Sequence, residues 1–528
     1  MKIPGKYLTL LIALSSALFL LVYKTIIQDD FPKITDKKIE KEAYSVGRNI
    51  LIHPTPWLNT EDNNSNERKY QCRNNWKFKE NLDFETFIQK CPDDVEARIY
   101  LNNEIARTKA NSSPDYITAQ IAIVVPISGK KLEISDPKVK VNGKRVFDSI
   151  EILKGIEIAQ REINVEKEGI PLGSKKVFLE VVIVDDSYID DIKEEEKAQR
   201  VANYLGEDKN IIAVIGHFSS DSIQAAAGIY RKHKLVAFSP TSTAIRKNNN
   251  RFFSILDDSD KLKLNPYIFR TSPNDAIAID RLINAIKYKN NTNNDSIKSA
   301  IILYEPDNNF SRLYKQGFQK QFLKSIEDAE VFEEPDSTHC QFYSNIRGDN
   351  RFHNCVNFIK EKKPDALLIV TSTNLVLEIA TTILNEIKDF KHKPQLLGAD
   401  NMFKERFLSE TAEGMIVAVP LQSQKFKGVH LSWRGAMTYD AAKSITKAIE
   451  NSKCENKINS GINNCLRKQI KNVLSDKNFQ ADGILGIETI FFENGDRQIN
   501  DALKSELEAP LQIKQIGDST KYQFRLLD

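Results

Sequence analysis

The chain has 528 residues, of which 41% are hydrophobic, enough to fill two or three ordinary domain cores. Its 75 Lys and Arg against 72 Asp and Glu leave a formal net charge of +3, which argues against nucleic acid or another polyanion as the principal partner. The charges are mixed in sign along the chain, the pattern of solvated helix faces rather than of a binding stripe.

In chain order, the first element is apolar. After Lys2 and Lys6, Tyr7 to Tyr23 (YLTLLIALSSALFLLVY) runs seventeen residues without a charge, and Lys24, Asp29 and Asp30 follow. That length is near the lower limit for a spanning helix and exceeds the apolar core of most cleaved signals, and no small-x-small cleavage site follows it. We read residues 1–28 as an uncleaved signal anchor, with a removed signal peptide as the alternative. Both export the remainder of the chain, to the periplasmic or extracellular face of a membrane. No second stretch of this kind occurs, which argues against a channel and against signalling through a C-terminal span.

Residues 29–115 are polar and rich in Asn and Lys. Within them Phe84, Phe87 and Ile88, then Val95, Ile99, Leu101 and Ile105, recur at near-helical spacing, and Pro92 opens the second segment. The expectation is a helical hairpin of the tetratricopeptide kind, which without a second repeat must pack on its neighbour. The six cysteines fall as neighbouring pairs, Cys72 with Cys91, Cys340 with Cys355, and Cys454 with Cys465. An even, locally paired set in an exported chain suggests three small disulfide loops, although connectivity is open. His339, Cys340, His353 and Cys355 offer a zinc site as the competing reading, but their spacing matches no tight Cys-x-x-Cys knuckle.

From Ile117 the texture changes. AQIAIVVPI, VFDSIEILKGIEIAQREIN, KVFLEVVIVDD, EEEKAQRVANYLG and IIAVIG alternate continuous β-branched runs with amphipathic segments, the signature of a parallel sheet covered on both faces. The pattern restarts after YIFRTSPND with SAIILYE, SRLYKQGFQKQFLKSI, DALLIVTS and LVLEIATTILNEI. The fold class is therefore α/β with two units, joined near Phe269 to Ser272.

Two loops stand out. In AVIGHFSSDSIQAA, the buried strand Ile211 to Gly216 gives way to His217 to Asp221 and then to a helix, so these residues lie at a strand's carboxyl end, where open parallel sheets bind ligands. Serine hydroxyls and free amides at a helix N-terminus suit a carboxylate. The plainer reading makes Ser220 or Asp221 the N-cap, and the two roles are compatible. One strand on, LVAFSPTSTA ends in Ser239, Pro240, Thr241, Ser242 and Thr243, and two hydroxyl-rich strand ends imply a converging polar pocket.

At these residues the sequence resembles the type I periplasmic-binding-protein family, in particular the branched-chain amino acid binding proteins of ABC transporters. The resemblance spans roughly Tyr116 to Phe524 and rests on the order of IAIVVPISG, LKGIEIAQREIN, AVIGHFSSDSIQAAAGIYRKHKLVAFSPTSTA, YIFRTSPND, LLGAD, TYDAAKSITKAI and GILGIETIFFENGD. It implies two Rossmann-like lobes joined by three crossovers, with 116–268 and 425–508 in the first lobe and 269–424 plus the C-terminal segment in the second. It further implies a ligand carboxylate held at Ser220, Thr241 and Thr243, an ammonium at Asp400, and an aromatic wall at Phe310. Three features depart from the family pattern. Asp221 replaces a small neutral residue, Asp400 is shorter than the usual glutamate, and a charged insertion spans Lys130 to Arg145. A second insertion around Cys340 and Cys355 is expected to decorate the surface.

An enzyme is the rival class. The sequence contains no HExxH, Gly-x-Ser-x-Gly or P-loop motif, and SGKK at Ser128 to Lys131 lacks the partner motifs of a Ser-x-x-Lys nucleophile. His217 reads as a structural histidine rather than a base. Asp185, Asp186, Asp190 and Asp191 lack the periodic ligands and glycine of a calcium loop. Asn494-Gly495 reads as a hairpin turn without a functional role. The sequons at Asn111 and Asn290 carry little weight in an Asn-rich chain. The expectation is a membrane-tethered, non-enzymatic binder of an amino acid or related small carboxylate, without cofactor, metal or nucleic acid, and with an ABC transporter permease as a candidate partner. A ligand-sensing receptor or interaction protein that keeps the bilobal fold is the alternative.

Overall fold

The computed structural model describes residues 44–45, 83–127, 145–186, 193–246, 262–292, 296–332, 340–342, 351–371, 374–404, 407–420, 424–455, 461–498, 510–516 and 521–527. The expected anchor and the charged insertion before Arg145 lie outside them. Among the described residues, no helix is long and apolar enough to cross a membrane.

The hairpin forms as helices α1 (Phe84–Lys90) and α2 (Val95–Asn111). Each is N-capped by an aspartate: the Thr86 amide donates to Asp83 at 3.1 Å, and the Ala97 amide to Asp94 at 2.9 Å. It packs on the first lobe through Ile99 and Tyr100.

That lobe is built on β1 (Tyr116–Val125), α3 (Arg145–Arg161), β2 (Ile170–Leu172), β3 (Lys175–Asp185), α4 (Glu194–Glu207), β4 (Ile211–Ile215), α5 (Ser220–His233), β5 (Val236–Ser239) and β6 (Ile268–Arg270). The parallel strands run in the order β3-β1-β4-β5-β6. β1 and β3 stay paired from Tyr116 opposite Lys176 to Val125 opposite Asp185. Their Val and Ile side chains are buried on both faces, which is why the runs read as continuous rather than alternating. On the side of β3 away from β1, β2 pairs with Lys175 to Val177, and two buried asparagines continue the ladder. Leu179 exchanges hydrogen bonds with Asn164, 2.9 Å each way, and Val181 with Asn103 of α2 at 2.7 and 2.9 Å. The hairpin thus covers the sheet with its side-chain amide.

The second lobe comprises α6 (Asp275–Thr292), β7 (Ser299–Tyr304), α7 (Asn309–Ser325), β8 (Glu330–Val331), α8 (Arg351–Lys362), β9 (Ala366–Val370), α9 (Asn374–Ile387), β10 (Gln395–Gly398) and β11 (Ile416–Ala418). Its parallel strands run β8-β7-β9-β10-β11, the same winding as the first lobe. The chain then makes a small hairpin of β12 (Gln424–Phe426) and β13 (Val429–Leu431) and returns to the first lobe. Helices α10 (Trp433–Glu450) and α11 (Ile462–Leu474) follow, then the β14 (Ala481–Gly483) and β15 (Gly486–Ile490) pair, β16 (Phe492–Glu493) and β17 (Asp496–Arg497). α10 crosses α3 closely enough that a Cβ on Gly155 would overlap the Gly435 carbonyl. β17 extends the first sheet beside β6, and Asn494 and Gly495 turn β16 into β17 with φ of +53° and +86°, as a two-residue hairpin requires. Finally β18 (Pro510–Gln515) and β19 (Tyr522–Leu526) add antiparallel to β11, so the chain passes three times between the two sheets.

Disulfides join Cys340 to Cys355 and Cys454 to Cys465, and Cys91 is also disulfide-bonded; Cys72 lies outside the described residues. The two cysteines that a zinc site needed are therefore bonded to each other. Their segment is not surface decoration: Cys355, Phe342, Phe352 and Phe358 are buried in the second lobe's core. Phe342 and Cys340 exchange backbone hydrogen bonds with Tyr304 at the end of β7.

Candidate functional site

In each lobe the strand order reverses beside the first strand, and ligands of open α/β sheets bind outside the carboxyl ends at that point. In the first lobe this is the end of β1 and β4, and the residues there are tightly organised. Ser219, rather than Ser220 or Asp221, caps α5, its Oγ accepting from the Ser222 amide at 3.1 Å. Ser219 and Ser222 in turn donate to Glu194 at 2.6 and 2.8 Å. Ser220 is released from capping, and its Oγ lies 2.9 Å from Ser242 Oγ, which ties the two hydroxyl loops together. Thr241 donates to the Phe218 carbonyl at 2.6 Å, leaving its hydroxyl only acceptor capacity. Thr243 is buried, and its carbonyl accepts from the Asp275 amide at 2.8 Å.

His217 is fully buried between Asp186, 2.8 Å from Nδ1, and the Tyr230 hydroxyl, 3.0 Å from Nε2. Both ring nitrogens are engaged, so this histidine positions the loop. Asp185 accepts from the Ile127 amide at 2.9 Å. The Asp185-Asp186 pair thus fixes backbone and imidazole, while Asp190 and Asp191 lie outside the described residues. Among the described residues, no group of three or more His, Cys, Asp or Glu is arranged to hold a metal ion.

In the second lobe Asp400 opens a 3₁₀ turn directly after β10 and is 7% exposed. Burial pushes its carboxyl up to about 6, against the opposing pull of Arg434 and Lys404. Asp275, the first residue of α6, is buried deeper still, and burial together with the Asp400 charge raises it well above the carboxylate range. Its Oδ2 has no hydrogen-bond partner among the described residues. Phe310, in the first turn of α7, packs against Tyr314 with ring centroids 5.9 Å apart, at the margin of the second lobe's core.

The lobes meet through charge. Lys404 of the second lobe donates to Asp148 of α3 at 2.8 Å, and Arg434 of α10 lies 3.6 Å from the same carboxylate. Asp221 neither caps α5 nor stands free to repel an anion. It accepts from Asn308 Nδ2 at 3.0 Å, from the Asn309 amide at 3.3 Å and from the Asn309 side chain, all in the second lobe. Burial raises the Asp221 carboxyl to about 6, and Glu194 and Glu195 add to this.

Ser220, Thr241 and Thr243 thus share the first lobe's edge, and Asp400 interacts with residues of both lobes. Asp275, Arg434, Lys404 and Asp148 were not singled out from the sequence. Asp275 carried a signal, an acid at a helix start directly after RTSPN at the joint, whereas Arg434 lies far along the chain from every loop that drew attention.

No family model matches the sequence, and no curated protein matches it either. Solved structures do resemble it. The branched-chain amino acid transporter substrate-binding protein of Streptococcus pneumoniae, in complex with isoleucine, is 17% identical and aligns over 77% of this chain and 100% of its own, with a TM-score of 0.52. A leucine-binding protein from Thermotoga maritima is 17% identical over 77% of this chain and 97% of its own, TM-score 0.51. A solute-binding protein of an ABC transporter from R. palustris, in complex with benzoate, is 14% identical over 78% and 96%, TM-score 0.52. This chain therefore has the two-lobed type I fold of the solute-binding proteins of ABC transporters.

Proposed function

We propose that this chain is an exported, membrane-tethered solute-binding protein for an α-amino acid, delivering it to an ABC transporter. The observation that carries the reading is a set of buried polar atoms without partners among the described residues, on the neighbour of Asp400 and on two residues whose charges interact with it: Asn401 Oδ1, Asp275 Oδ2 and Arg434 Nε. Buried polar atoms are costly unless hydrogen-bonded, so such a cluster at the strand ends of an α/β sheet suits a polar ligand. An α-ammonium would satisfy Asp400 and Asp275 together, and its charge would let both ionise. The α-carboxylate would lie against the Ser220 hydroxyl and the free amides at the head of α5, in a loop that Thr241 braces by donating to the Phe218 carbonyl, with Phe310 as an apolar wall. The isoleucine and benzoate of the similar structures both carry a carboxylate, consistent with a carboxylate site in the first lobe.

Thermal unfolding of the full chain with a panel of amino acids, amines and carboxylates tests this. A ligand at 1,000 times its Kd stabilises by about 4 kcal/mol, roughly 5 °C for a cooperative unit of about 400 residues. A shift with amino acids but not with benzoate or simple amines is the expected result. No shift across the panel would favour an interaction protein that keeps the fold.

A further inference from the structure

We propose that the ligand carries a second carboxylate, an acidic amino acid such as glutamate or aspartate, and that Arg434 is the residue that selects it. The inference rests on the amino acid reading above and extends it to ligand class.

Arg434 is a buried cation whose hydrogen-bonding capacity is not filled among the described residues. Its side chain is 6% exposed, its Nε has no partner, and its guanidinium donates no hydrogen bond among the described residues. The one acid that it contacts, Asp148 at 3.6 Å, is beyond hydrogen-bond distance and already receives Lys404 at 2.8 Å. The guanidinium is nonetheless fixed in place. It stacks over the Trp433 ring at 4.5 Å and lies 6.0 Å from the Phe218 ring. An immobilised planar fork with unused donors is the arrangement that binds a carboxylate bidentately.

Position decides which carboxylate this is. In the amino acid reading the α-carboxylate is taken by Ser220 and the head of α5, in the loop that Thr241 braces through the Phe218 carbonyl. Arg434 belongs to a separate element, the first turn of α10, and its charge acts on Asp400, the acid assigned to the ammonium. Two donor sites on separate elements and an acid for the ammonium match an amino acid with two anionic groups. A leucine-like side chain would leave the buried Nε of Arg434 without a hydrogen bond, which is costly.

The test needs no variant to begin. Calorimetric titration of the full chain compares L-glutamate with L-glutamine and L-aspartate with L-asparagine, pairs of nearly equal shape that differ in charge, with L-leucine as the apolar reference. The acid of at least one pair should bind roughly ten- to a hundredfold tighter than its amide, the range of a charge-assisted hydrogen bond. Arg434→Met should remove that preference while Arg434→Lys retains part of it. Glutamine, asparagine or leucine binding as tightly as the acids would overturn the inference and leave the amino acid reading standing. Binding of no amino acid would overturn both.

Discussion

Asp221 at the head of α5 and Asn309 at the head of α7 are hydrogen-bonded across the two lobes, through both the backbone amide and the side chain of Asn309. The two lobes are thus tied together here by protein contacts, with Asn308 adding a third bond to the same carboxylate. Asp221→Ala should weaken ligand affinity roughly ten- to a hundredfold by removing hydrogen bonds to a charged acceptor, mostly through faster dissociation. Stopped-flow release kinetics check this, and an unchanged off-rate would show that the contact does not contribute to closure.

The pH dependence follows from the acids. Asp221 and Asp400 are each raised to about 6, and Asp275 is raised as well, so each contributes stability fully below its ordinary pKa and loses it as pH rises through the raised value. Glu162, hydrogen-bonded by Lys443, Tyr439 and Lys427, is held well below its ordinary value despite burial and contributes stability that is lost below about pH 4. The unliganded chain should therefore be most stable near about pH 5 rather than above 7, which a thermal unfolding series across pH measures. An ammonium ligand reverses the sign at Asp400, since binding needs the ionised form. Affinity should rise with pH through about 6, with proton release visible as a buffer-dependent binding enthalpy.

Asp496, in β17, pairs with Arg270 at 2.8 Å and Arg246 at 3.3 Å, all three being buried. Asp496→Ala leaves two buried guanidinium groups without their carboxylate and should cost about 3–5 kcal/mol, read by urea unfolding. Asp496→Asn should cost less.

Asn103→Ala removes the two bonds to Val181 and a third from Gln160 at 2.7 Å. The expected loss is about 1–3 kcal/mol, and amide hydrogen exchange at Val181 should quicken while the centre of β1 stays protected. Equal exchange at both strands would contradict the edge-covering role of the hairpin.

The winding of both lobes was legible because it is written in local pattern. Runs such as IAIVV and VVIV bury on both faces, and turns such as Asn494-Gly495 require positive φ. Ser220 and Thr241 were legible for the same reason, as polar loops that end apolar strands. What was hidden depends on partners distant in sequence. Ser219 takes the cap because Glu194 holds it, and Asp221 is free to reach Asn309 only because Ser219 does. The turn at Asn494 and Gly495, read as a hairpin without a functional role, is one, and it also delivers Asp496 to Arg270. Arg434 has no local signal, because its meaning lies in Asp148, Asp400 and the ring of Phe218.

The most direct test of amino acid binding at Asp400 is isothermal titration of the full chain and of Asp400→Ala with an L-amino acid panel at pH 7. Saturable one-to-one binding of at least one amino acid, lost or weakened at least tenfold in Asp400→Ala, is the predicted result. Binding that survives undiminished in Asp400→Ala, or no saturable heat from any member of the panel, would contradict the account.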